Sequence, residues 1–494
     1  MTLATMNDRQ ITAIGLRFVI DSMSADCPFG AEKIRGLTAF GRNERQLLID
    51  ELYNVKKALT CLEDNLIGEI RRALMRIKNI RNTLKKCEKS VLSEVELFEV
   101  KGFLLCFSKL KDAFDALNET CAFRHIILGD MAGPLNILDP DGRRLPPFSL
   151  GEVFSPKLRD IRRKKAQIET RLFHQTNKKL RDELEFERLQ IVEAEDAEEM
   201  VVKKRLSEAL RPFLPDFFSN MDHVGRLDLT LQKALLAKQY GAVCPEISDS
   251  GDVVLENMFN PYVADALSKS GKTFTPISIT LTAGTTLLTG ANMGGKTVVI
   301  KTALLNVMLC RLGFFAFAKR CRLPMFDNVR FISEDLQSIK EGLSTFGAEM
   351  LQLNDMAKEA KTGFLFMAMD ELARGTNPAE GSRIVSAAAI HFNKGPGVAL
   401  ISTHYDNVAR SDCDEFSHYR VAGLSKVDFD ALRNEIKNNP ENGVDLIAKH
   451  MDYQLIKTDG KTLPPRDALN VCRLLGLDEE ILGEILNITL DKIR

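Results

Sequence analysis

The sequence predicts a multidomain fold, with a mostly α-helical N-terminal region followed by an α/β domain that has a largely parallel sheet. Between about Asp8 and about Lys238 the chain is rich in Leu, Lys, Glu and Arg and poor in Gly and Pro, which is typical of helices. Beyond Val253, β-branched segments alternate with helical ones, which is typical of a doubly wound sheet covered on both faces. We expect a helical region at 1–240, an α/β domain at 250–425 and a C-terminal helical extension at 426–494.

Length and composition narrow the class of protein. The 494 residues are enough for two to four domains of roughly 150 residues each. A hydrophobic share of 45%, a charged share of 27% and a formal net charge of −1 match a soluble globular protein that has no general attraction to nucleic acid or anionic membranes. Any basic surface must therefore be local.

The sequence predicts a cytoplasmic protein with reduced thiols and no membrane span. The residues after Met1 turn polar without the basic-then-apolar order of a secretory signal. The apolar stretch 297–318 is interrupted by Lys301 and Arg311, which predicts a buried core helix. Ten cysteines occur without a Cys-x-x-Cys pair, and we expect buried, reduced thiols. Those in apparent helices are Cys61, Cys87, Cys106 and Cys121.

Apolar residues recur at helical spacing in the N-terminal region and predict a bundle core. A break is expected at 129–151, where prolines and glycines rule out a continuous helix. The segment 155–211 is intensely charged and predicts a pair of long helical arms. Their surface is either simply solvated or a contact with nucleic acid or a partner. The two clearest apolar stripes are Leu47, Leu48, Leu52, Val55 and Leu59, and Ile67, Ile70, Leu74 and Ile77.

A phosphate-binding motif stands between a predicted strand at 285–289 and a predicted helix. The pattern G-x-x-x-x-G-K-[ST] occupies 290–297, and its backbone N–H groups and the positive end of the following helix attract phosphate. We expect Lys296 to reach the β- and γ-phosphates of ATP and the Thr297 hydroxyl to bind Mg²⁺. The other residues expected to contact the nucleotide are Gly290, Asn292, Met293, Gly294 and Gly295.

Two further predicted strands end in side chains suited to catalysis. The apolar run 363–369 leads to Asp370, expected to hold the metal through water, and to Glu371, expected to orient or deprotonate the attacking water. A carboxylate pair there can also merely cap the next helix. The run 398–401 leads to His404, expected to sense the γ-phosphate; a lone histidine is otherwise structural. The predicted catalytic residues are thus Lys296, Glu371 and His404, and the predicted metal ligands are Thr297 and Asp370.

These motifs resemble those of the MutS family of ATPases. The family pattern T-G-P-N-M-G-G-K-[ST] is matched over 289–297, D-E-L-G-R-G-T over 370–376 with an acidic-Gly pair at Glu380 and Gly381, and G-x-S-T-F-x-x-E-M over 342–350. The resemblance implies an ABC-like P-loop ATPase domain that couples hydrolysis of ATP, with Mg²⁺, to conformational change. Weaker likenesses to the family's helical core and closing helix lie at 37–48, 226–234 and 468–477.

The resemblance also implies a dimer. In MutS-like proteins the serine-containing loop completes the nucleotide site of the opposite subunit, so Ser344 is implied to act in trans. The chain has one P-loop, which makes a homodimer with two composite sites the simplest arrangement. The region 426–494 is expected to complete the ATPase and dimer region.

Several features depart from the family pattern. Ala291 replaces a proline, Ala373 replaces a glycine, and 257–261 stands where relatives have an Arg-His-Pro-like approach to the sheet. Phe259 is a candidate for stacking on adenine, with a place in the core as the alternative. Mismatch-reading members of the family have an N-terminal domain with an aromatic wedge that stacks into the DNA duplex, followed by a connector domain. Neither is found in this sequence, so direct mismatch reading is not expected.

Two functional classes stay open, and both use ATP as a conformational switch. In the first, the protein binds DNA phosphates through its basic helical arms without reading sequence. In the second, it remodels a protein client, as short MutS-like proteins associated with cobalamin-dependent aminomutases do. A degenerate ATP-binding scaffold ranks last, because the motif residues are all present. The residues predicted to contact DNA are Arg162, Arg163, Lys164 and Lys165, with Arg71, Arg72, Arg76 and Lys78.

Overall fold

The computed structural model divides the chain into two compact units. One unit contains 1–23, 37–52 and 235–494, and the other contains 24–36 and 53–234. We refer to them as the α/β unit and the helical unit. The domain limits expected above remain a prediction. The residues that the structure describes are 6–151, 153–290, 295–333, 345–405, 408, 416–424, 427–438, 443–458, 467–478 and 480–484.

Helices account for the regular structure described between residues 8 and 240, as the composition predicts. Side-chain caps fix several of their first turns: Ser93 and Glu96 form a capping box, and Ser155 and Asn177 accept hydrogen bonds from N–H groups of the helices that follow them. In chain order the helices are α1 (Asp8–Ala13), α2 (Leu16–Asp21), α3 (Pro28–Arg35), α4 (Arg45–Thr60), α5 (Asn65–Leu74), α6 (Arg81–Lys89), α7 (Glu94–Cys121), α8 (Ala132–Leu138), α9 (Pro156–His174), α10 (Lys178–Leu210) and α11 (Leu214–Tyr240), with 3-10 turns at Arg42–Glu44 and Arg211–Phe213.

The core of the helical unit forms along α7, where Phe103 packs against Phe29, Phe107 and Phe217 with ring centroids 5.9 to 6.5 Å apart. The stripe from Ile67 to Ile77 is buried, as predicted. The stripe on α4 is correct in part: Leu48, Leu52 and Val55 are buried, Leu59 is half-buried, and Leu47 is 47% exposed. Leu47 lies outside the stripe because the buried positions of α4 recur at 48, 52, 55 and 58.

A buried network ties the start of α3 to α11. The Asp228 carboxylate, fully buried, accepts hydrogen bonds from the backbone N–H groups of Cys27 at 2.8 Å and Asp26 at 3.2 Å. Burial raises the pKa of Asp228, although these hydrogen bonds oppose the rise. Asp26 in turn receives two hydrogen bonds, at 2.7 and 3.1 Å, from the Arg71 guanidinium. Arg71 is therefore part of the framework of the unit, and its contact with DNA stays a prediction.

The expected break between 129 and 151 contains one short helix, α8, followed by a segment that a buried ion pair anchors. The Lys101 ammonium lies 3.1 Å from an Asp139 oxygen and donates to the Pro147 carbonyl at 3.2 Å. Burial works to raise the pKa of Asp139, but hydrogen bonds from the Arg144 N–H and from Lys101 outweigh it and lower that pKa. Removal of one partner from such a pair costs about 3–5 kcal/mol.

The charged segment forms the predicted pair of helices, α9 and α10, which we call the arm. Ion pairs join the two helices: Arg162 contacts Glu195 at 2.8 Å and Glu199 at 2.9 Å, and Lys165 contacts Glu195 at 2.6 Å. Burial works to lower the pKa of Arg162, but its hydrogen bonds to Glu195 and Glu199 outweigh burial, so that pKa is raised. Arg162 and Lys165 thus form ion pairs within the arm, and their contact with DNA stays a prediction. Arg163 and Lys164 are exposed.

The α/β unit contains a mostly parallel six-stranded sheet in the order β10-β9-β4-β8-β7-β6, in which β10 alone runs antiparallel to its neighbour. A smaller four-stranded sheet has the order β1-β5-β2-β3. The strands are β1 (Glu246–Ser248), β2 (Val253–Met258), β3 (Ile277–Leu281), β4 (Gly284–Thr289), β5 (Arg320–Pro324), β6 (Asn328–Ile332), β7 (Leu365–Met369), β8 (Val398–Ser402), β9 (Ser417–Gly423) and β10 (Asp452–Thr458).

Helices alternate with these strands, as a doubly wound sheet requires. The helix after β4 is buried along almost its entire length and ends at Arg311, so the predicted core helix is correct but shorter than 297–318. Among the helices of the described residues, none is long and apolar enough to cross a membrane. The helices of this region are α12 (Pro261–Lys269), α13 (Lys296–Arg311), α14 (Thr345–Glu359), α15 (Pro378–Asn393), α16 (Phe429–Asn438), α17 (Gly443–His450) and α18 (Asp467–Leu474).

Two features of the α/β unit differ from the sequence-based expectation. The smaller sheet was not predicted, because its strands pair antiparallel or across long separations, as in the pairing of Leu255 with Cys321. The C-terminal region, expected to be helical, contributes β10, which pairs with β9 at the edge of the main sheet. The alternation predicted around residues 276–282 is confirmed in β3, where alternate residues are buried.

Candidate functional site

Four of the predicted site residues, Lys296, Asp370, Glu371 and His404, follow the carboxyl ends of β4, β7 and β8, which lie side by side in the order β4-β8-β7. β4 ends at Thr289, and α13 begins at Lys296 after Gly295, whose φ of 81° lies in the left-handed region that favours glycine. Crevices at this edge of a parallel sheet are the usual place for ligands. The predicted phosphate-contacting residues Asn292, Met293 and Gly294 lie outside the described residues.

Lys296 is buried beside a carboxylate. Its side chain is 2% exposed, and its ammonium donates a hydrogen bond to the Gly290 carbonyl at 2.8 Å and lies 3.5 Å from a Glu371 oxygen. Burial lowers the pKa of Lys296, while the negative charge of Glu371 works against that change. The other Glu371 oxygen lies 3.0 Å from the Arg374 guanidinium. The edge of the sheet therefore holds two cations around one carboxylate.

Asp370 is held by a serine on the neighbouring strand. The Ser402 hydroxyl, at the end of β8, donates to an Asp370 oxygen at 2.6 Å and accepts from the Glu371 N–H at 3.0 Å. All three side chains are buried. Ser402 was not predicted as a site residue, although a polar residue at the end of the apolar run 398–401 was a signal for it.

The turn after β7 has an uncommon backbone. Glu371 and Ala373 have φ values of 50° and 62°, in the left-handed region that costs a non-glycine residue roughly 1–2 kcal/mol. Ala373 is the position where the family pattern has glycine, and its conformation explains that preference. Two hydrogen bonds hold the turn: the Ala373 N–H donates to the Glu349 carboxylate at 3.2 Å, and the Tyr405 hydroxyl donates to the Ala373 carbonyl at 2.9 Å.

Glu349 and Tyr405 are supporting residues that the sequence analysis did not single out. Glu349 belongs to the motif over 342–350, whose serine was given a role while its acidic residue was not. Ser344 itself lies outside the described residues. His404 is exposed beyond β8, and its ring centroid lies 4.3 Å from that of Tyr405.

A cavity of about 670 Å³ opens beside the start of α13. Its volume falls within the range of about 300–1,000 Å³ typical of small-molecule sites. The Gly295 position demands glycine for a second reason, because a Cβ there would lie 3.1 Å from the Tyr453 ring. The residues that line the cavity include Val263, Phe274, Gly295, Val298, Lys449 and Tyr453.

Phe259 packs in an aromatic cluster, with ring centroids 5.5 Å from Phe317, 6.0 Å from Tyr240 and 6.4 Å from Phe274. Phe274 lines the cavity. Phe259 packs against Phe274 and is not among the lining residues. The adenine contact predicted for Phe259 stays a prediction. The cavity was missed at the sequence level because its residues come from segments almost two hundred positions apart.

The oxygen-bearing side chains fit a small divalent cation bound together with phosphate. Mg²⁺ is usually held by one or two carboxylates and a hydroxyl, with substrate phosphates and water completing its shell. Asp370 is buried at the sheet edge with one oxygen engaged by Ser402, and Thr297 lies half-buried in the first turn of α13. Within the described ranges, no group of three His, Cys, Asp or Glu residues forms a metal cage.

A largely parallel sheet, a phosphate-binding motif after its central strand and a carboxylate pair after the next strand but one are the arrangement of P-loop nucleotide-binding domains. Residues 286–439 match the family model of MutS domain V. Together with the curated relatives described next, this match shows that the chain contains a region similar to MutS domain V.

Curated relatives are similar to part of this chain. The proteins named endonuclease MutS2 from Leuconostoc mesenteroides and Finegoldia magna are each 28% identical, over 60% of this chain and 34% of their own length. That from Ruminiclostridium cellulolyticum is 29% identical over 41% of this chain and 25% of its own length. The match therefore spans about a third or less of these relatives, and endonuclease activity is named for them alone.

Gly381 is predicted to be essential for the turn that carries Glu371. A methyl group there would overlap the Tyr405 hydroxyl, lie 2.7 Å from the Tyr405 Cζ and lie 3.0 Å from the Ala373 carbonyl oxygen. We expect Gly381→Ala to displace Tyr405, to destabilise the α/β unit by about 1–3 kcal/mol and to lower ATP hydrolysis. Thermal unfolding and phosphate release measure the two effects.

The control for this prediction is Ser382→Ala, one position along the same helix, which should change neither quantity. Because the overlap involves the Tyr405 hydroxyl, the double variant Gly381→Ala with Tyr405→Phe should recover part of the lost stability. Wild-type behaviour of Gly381→Ala alone would contradict the assigned role of this glycine.

Proposed function

We propose that this chain binds and hydrolyses ATP with Mg²⁺ at the carboxyl edge of its main sheet. The observation that carries this proposal is the buried Lys296 ammonium, which lies at the start of α13 and 3.5 Å from the Glu371 carboxylate. Burial lowers the pKa of Lys296. It also leaves charge interactions little screened, so the buried ammonium is a strong site for phosphate oxygens.

In this proposal each side chain has a separate role in binding or hydrolysis. Phosphate oxygens replace Glu371 as the partner of Lys296, and the carboxylate becomes free to orient the attacking water or take its proton. Thr297 and Asp370 hold the metal ion, which neutralises charge that develops on the phosphates. Exposed His404 is the proposed sensor of the γ-phosphate. Ser402 positions Asp370 through its 2.6 Å hydrogen bond.

The cavity beside α13 is the proposed site for the adenosine moiety. It begins at Gly295, one residue before Lys296, so a nucleotide whose phosphates meet Lys296 has its base directed there. Phe274 and Tyr453 supply aromatic faces for stacking, and the Lys449 ammonium supplies a donor for polar groups of the ligand. Phe259 supports Phe274 from behind and contributes indirectly in this arrangement.

Two variants separate binding from hydrolysis. Lys296→Ala should abolish productive ATP binding, since its ammonium is the central phosphate contact. Glu371→Gln should bind ATP but hydrolyse it on the order of 10²–10⁴-fold more slowly, because the amide cannot take a proton. Calorimetric binding and phosphate release measure these effects, with Lys301→Ala on the same helix as control. Normal turnover in either variant would contradict the proposed site.

We further propose that the active form is a homodimer with two composite sites, in which Ser344 acts on the nucleotide of the opposite subunit. The resemblance over 342–350 and the match of residues 286–439 to MutS domain V support this.

Subunit mixing tests the action in trans. Ser344→Arg and Lys296→Ala should each be inactive alone, while a mixture should recover part of the hydrolysis, since one site of each mixed dimer holds both native residues. Phosphate release across mixing ratios, with the oligomeric state followed by light scattering, measures this. A mixture with no more activity than the separate variants, although mixed dimers form, would exclude it.

DNA is the proposed client, bound through phosphates without sequence reading. The arm offers a basic face for this: Arg163 and Lys164 are exposed on α9 and form no ion pair with any residue the structure describes, and Arg171 follows two turns later. The proposed contact is thus made by the outer positions of the basic run, while Arg162 and Lys165 stabilise the arm. A cytoplasmic location and the lack of a membrane partner stay predictions.

A protein client is the second candidate, and one observation favours it. α10 carries exposed apolar side chains in two places: Phe186 is 64% exposed and Leu189 58%, three positions apart, and Met200 is 56% exposed and Val201 59%. Apolar side chains that are grouped on an exposed surface mark protein-binding sites. A metabolic enzyme such as a cobalamin-dependent aminomutase is the kind of client in question.

Paired variants of the arm decide between the two clients. With DNA as client, Arg163→Glu combined with Lys164→Glu should weaken duplex binding and reduce the magnitude of its salt slope by about two, at about 0.9 per phosphate contact. DNA stimulation of hydrolysis should fall with it. Phe186→Ser combined with Leu189→Ser should leave DNA binding unchanged. Lys204→Glu, an exposed position on α10, is the control for charge.

Titration of labelled duplex at several salt concentrations provides the measurement. Duplex binding that is absent in the native protein, or that is insensitive to the charge reversal, would overturn the proposed DNA contact and favour the protein client.

A further inference from the structure

Two thiols that are distant in sequence touch in the helical unit. The sulfur atoms of Cys61 and Cys121 lie 3.1 Å apart, with 60 positions between them. A disulfide requires about 2.05 Å, so the sulfurs need to approach by roughly 1 Å. Cys61 follows the last residue of α4, and Cys121 is the last residue of α7, so each lies at a helix end where a small displacement breaks few backbone hydrogen bonds.

The two thiols differ in access to solvent. Cys61 is half-buried, whereas Cys121 is fully buried. Burial raises the pKa of Cys121 to about 12, and its hydrogen bond with Cys61 adds to that rise, so its sulfur keeps its proton and can donate it toward Cys61. The geometry assigns unequal chemical roles, with Cys61 open to a reagent and Cys121 directly behind it.

The local backbone holds this pair in place. The Tyr53 hydroxyl donates to the Cys121 carbonyl at 3.3 Å, and Asn54, one residue further along α4, donates to the Arg124 carbonyl and accepts from its N–H at 2.8 and 2.7 Å. These bonds join α4 to the segment after α7 independently of either thiol. The sulfurs are therefore kept close whether or not they are bonded.

A second pair of cysteines serves as an internal comparison. The sulfurs of Cys310 and Cys321, in α13 and β5, lie 3.7 Å apart, but both residues are buried. Burial raises the pKa of Cys310 well above its ordinary value. Proximity is thus shared by both pairs, whereas access belongs to Cys61 alone.

We propose that Cys61 and Cys121 are a thiol modification site that a low-molecular-weight disulfide, such as oxidised glutathione, converts to a reversible intramolecular disulfide. The Cys61 thiolate attacks one glutathione sulfur, which breaks the glutathione disulfide and releases one glutathione thiolate. Cys121 then loses its proton and attacks the Cys61 sulfur, which releases the second thiolate. The two protein protons pass to the two glutathione molecules, so one disulfide is reduced as another forms.

The bond would connect the end of α4 covalently to the end of α7, across a loop of 60 positions. Neither thiol belongs to the candidate site, so the test needs neither nucleotide nor client.

The test uses the purified full chain in buffers with defined ratios of oxidised to reduced glutathione. After acid quenching and alkylation, intact mass and peptide mapping should reveal a Cys61–Cys121 disulfide with loss of two hydrogens, reversed by excess reduced glutathione. Cys310 and Cys321 should remain alkylated after denaturation. In Cys121→Ser a glutathione adduct should accumulate on Cys61, and in Cys61→Ser neither adduct nor disulfide should form at Cys121.

Cys106→Ser, which removes a half-buried thiol elsewhere on α7, is the control and should oxidise like the native protein. The native measurement alone keeps the proposal testable if a variant does not fold. Complete alkylation of Cys61 and Cys121 in fully oxidised glutathione, or a stable adduct on Cys61 in the native protein without a disulfide, would overturn it.

Discussion

A lysine buried at the end of a sheet keeps its charge only if an anion lies beside it, and this constraint organises the α/β unit. Lys296 meets it with the Glu371 carboxylate, which comes from the end of β7, the next strand but one at the same edge. That carboxylate needs support of its own, supplied by Arg374 and by the hydrogen bond between its backbone N–H and Ser402. The parallel order of β4, β8 and β7 brings these groups together, because their carboxyl ends meet at one edge.

How much of this could be predicted from sequence depended on the range of the interactions. Features set by local spacing were predictable: the strands around Ile277–Leu281 and Leu365–Met369 and the helix after the phosphate-binding motif. That Lys296 and Glu371 share one site could be expected only from their two motifs, because they are distant in sequence. The smaller sheet, the edge strand β10 and the cavity beside Gly295 were not, because they depend on pairings between distant segments. Side-chain partners such as Ser402 and Tyr405 depend on the same long-range order.

The arm shows a signal that the sequence did contain. Leu158 and Ile168 are buried on α9, and Arg162 and Lys165 share their helical face at spacings of four, three and three residues. Those two cations therefore face α10, whereas Arg163 and Lys164 lie on the exposed side of α9. Counting charges in a run treats four residues alike, whereas the periodicity of the helix separates them into two pairs with different tasks.

The hydrogen bond from the Ala373 N–H to Glu349 has a consequence for how the α/β unit responds to a ligand. Glu349 belongs to α14, whereas Ala373 belongs to the turn that carries Glu371, so the bond joins α14 to that turn. The other hydrogen bond of Ala373 comes from Tyr405, which follows β8. The left-handed backbone of this turn therefore depends on contacts from two separate segments, and a displacement of α14 that lengthens the bond to Glu349 would remove one of them.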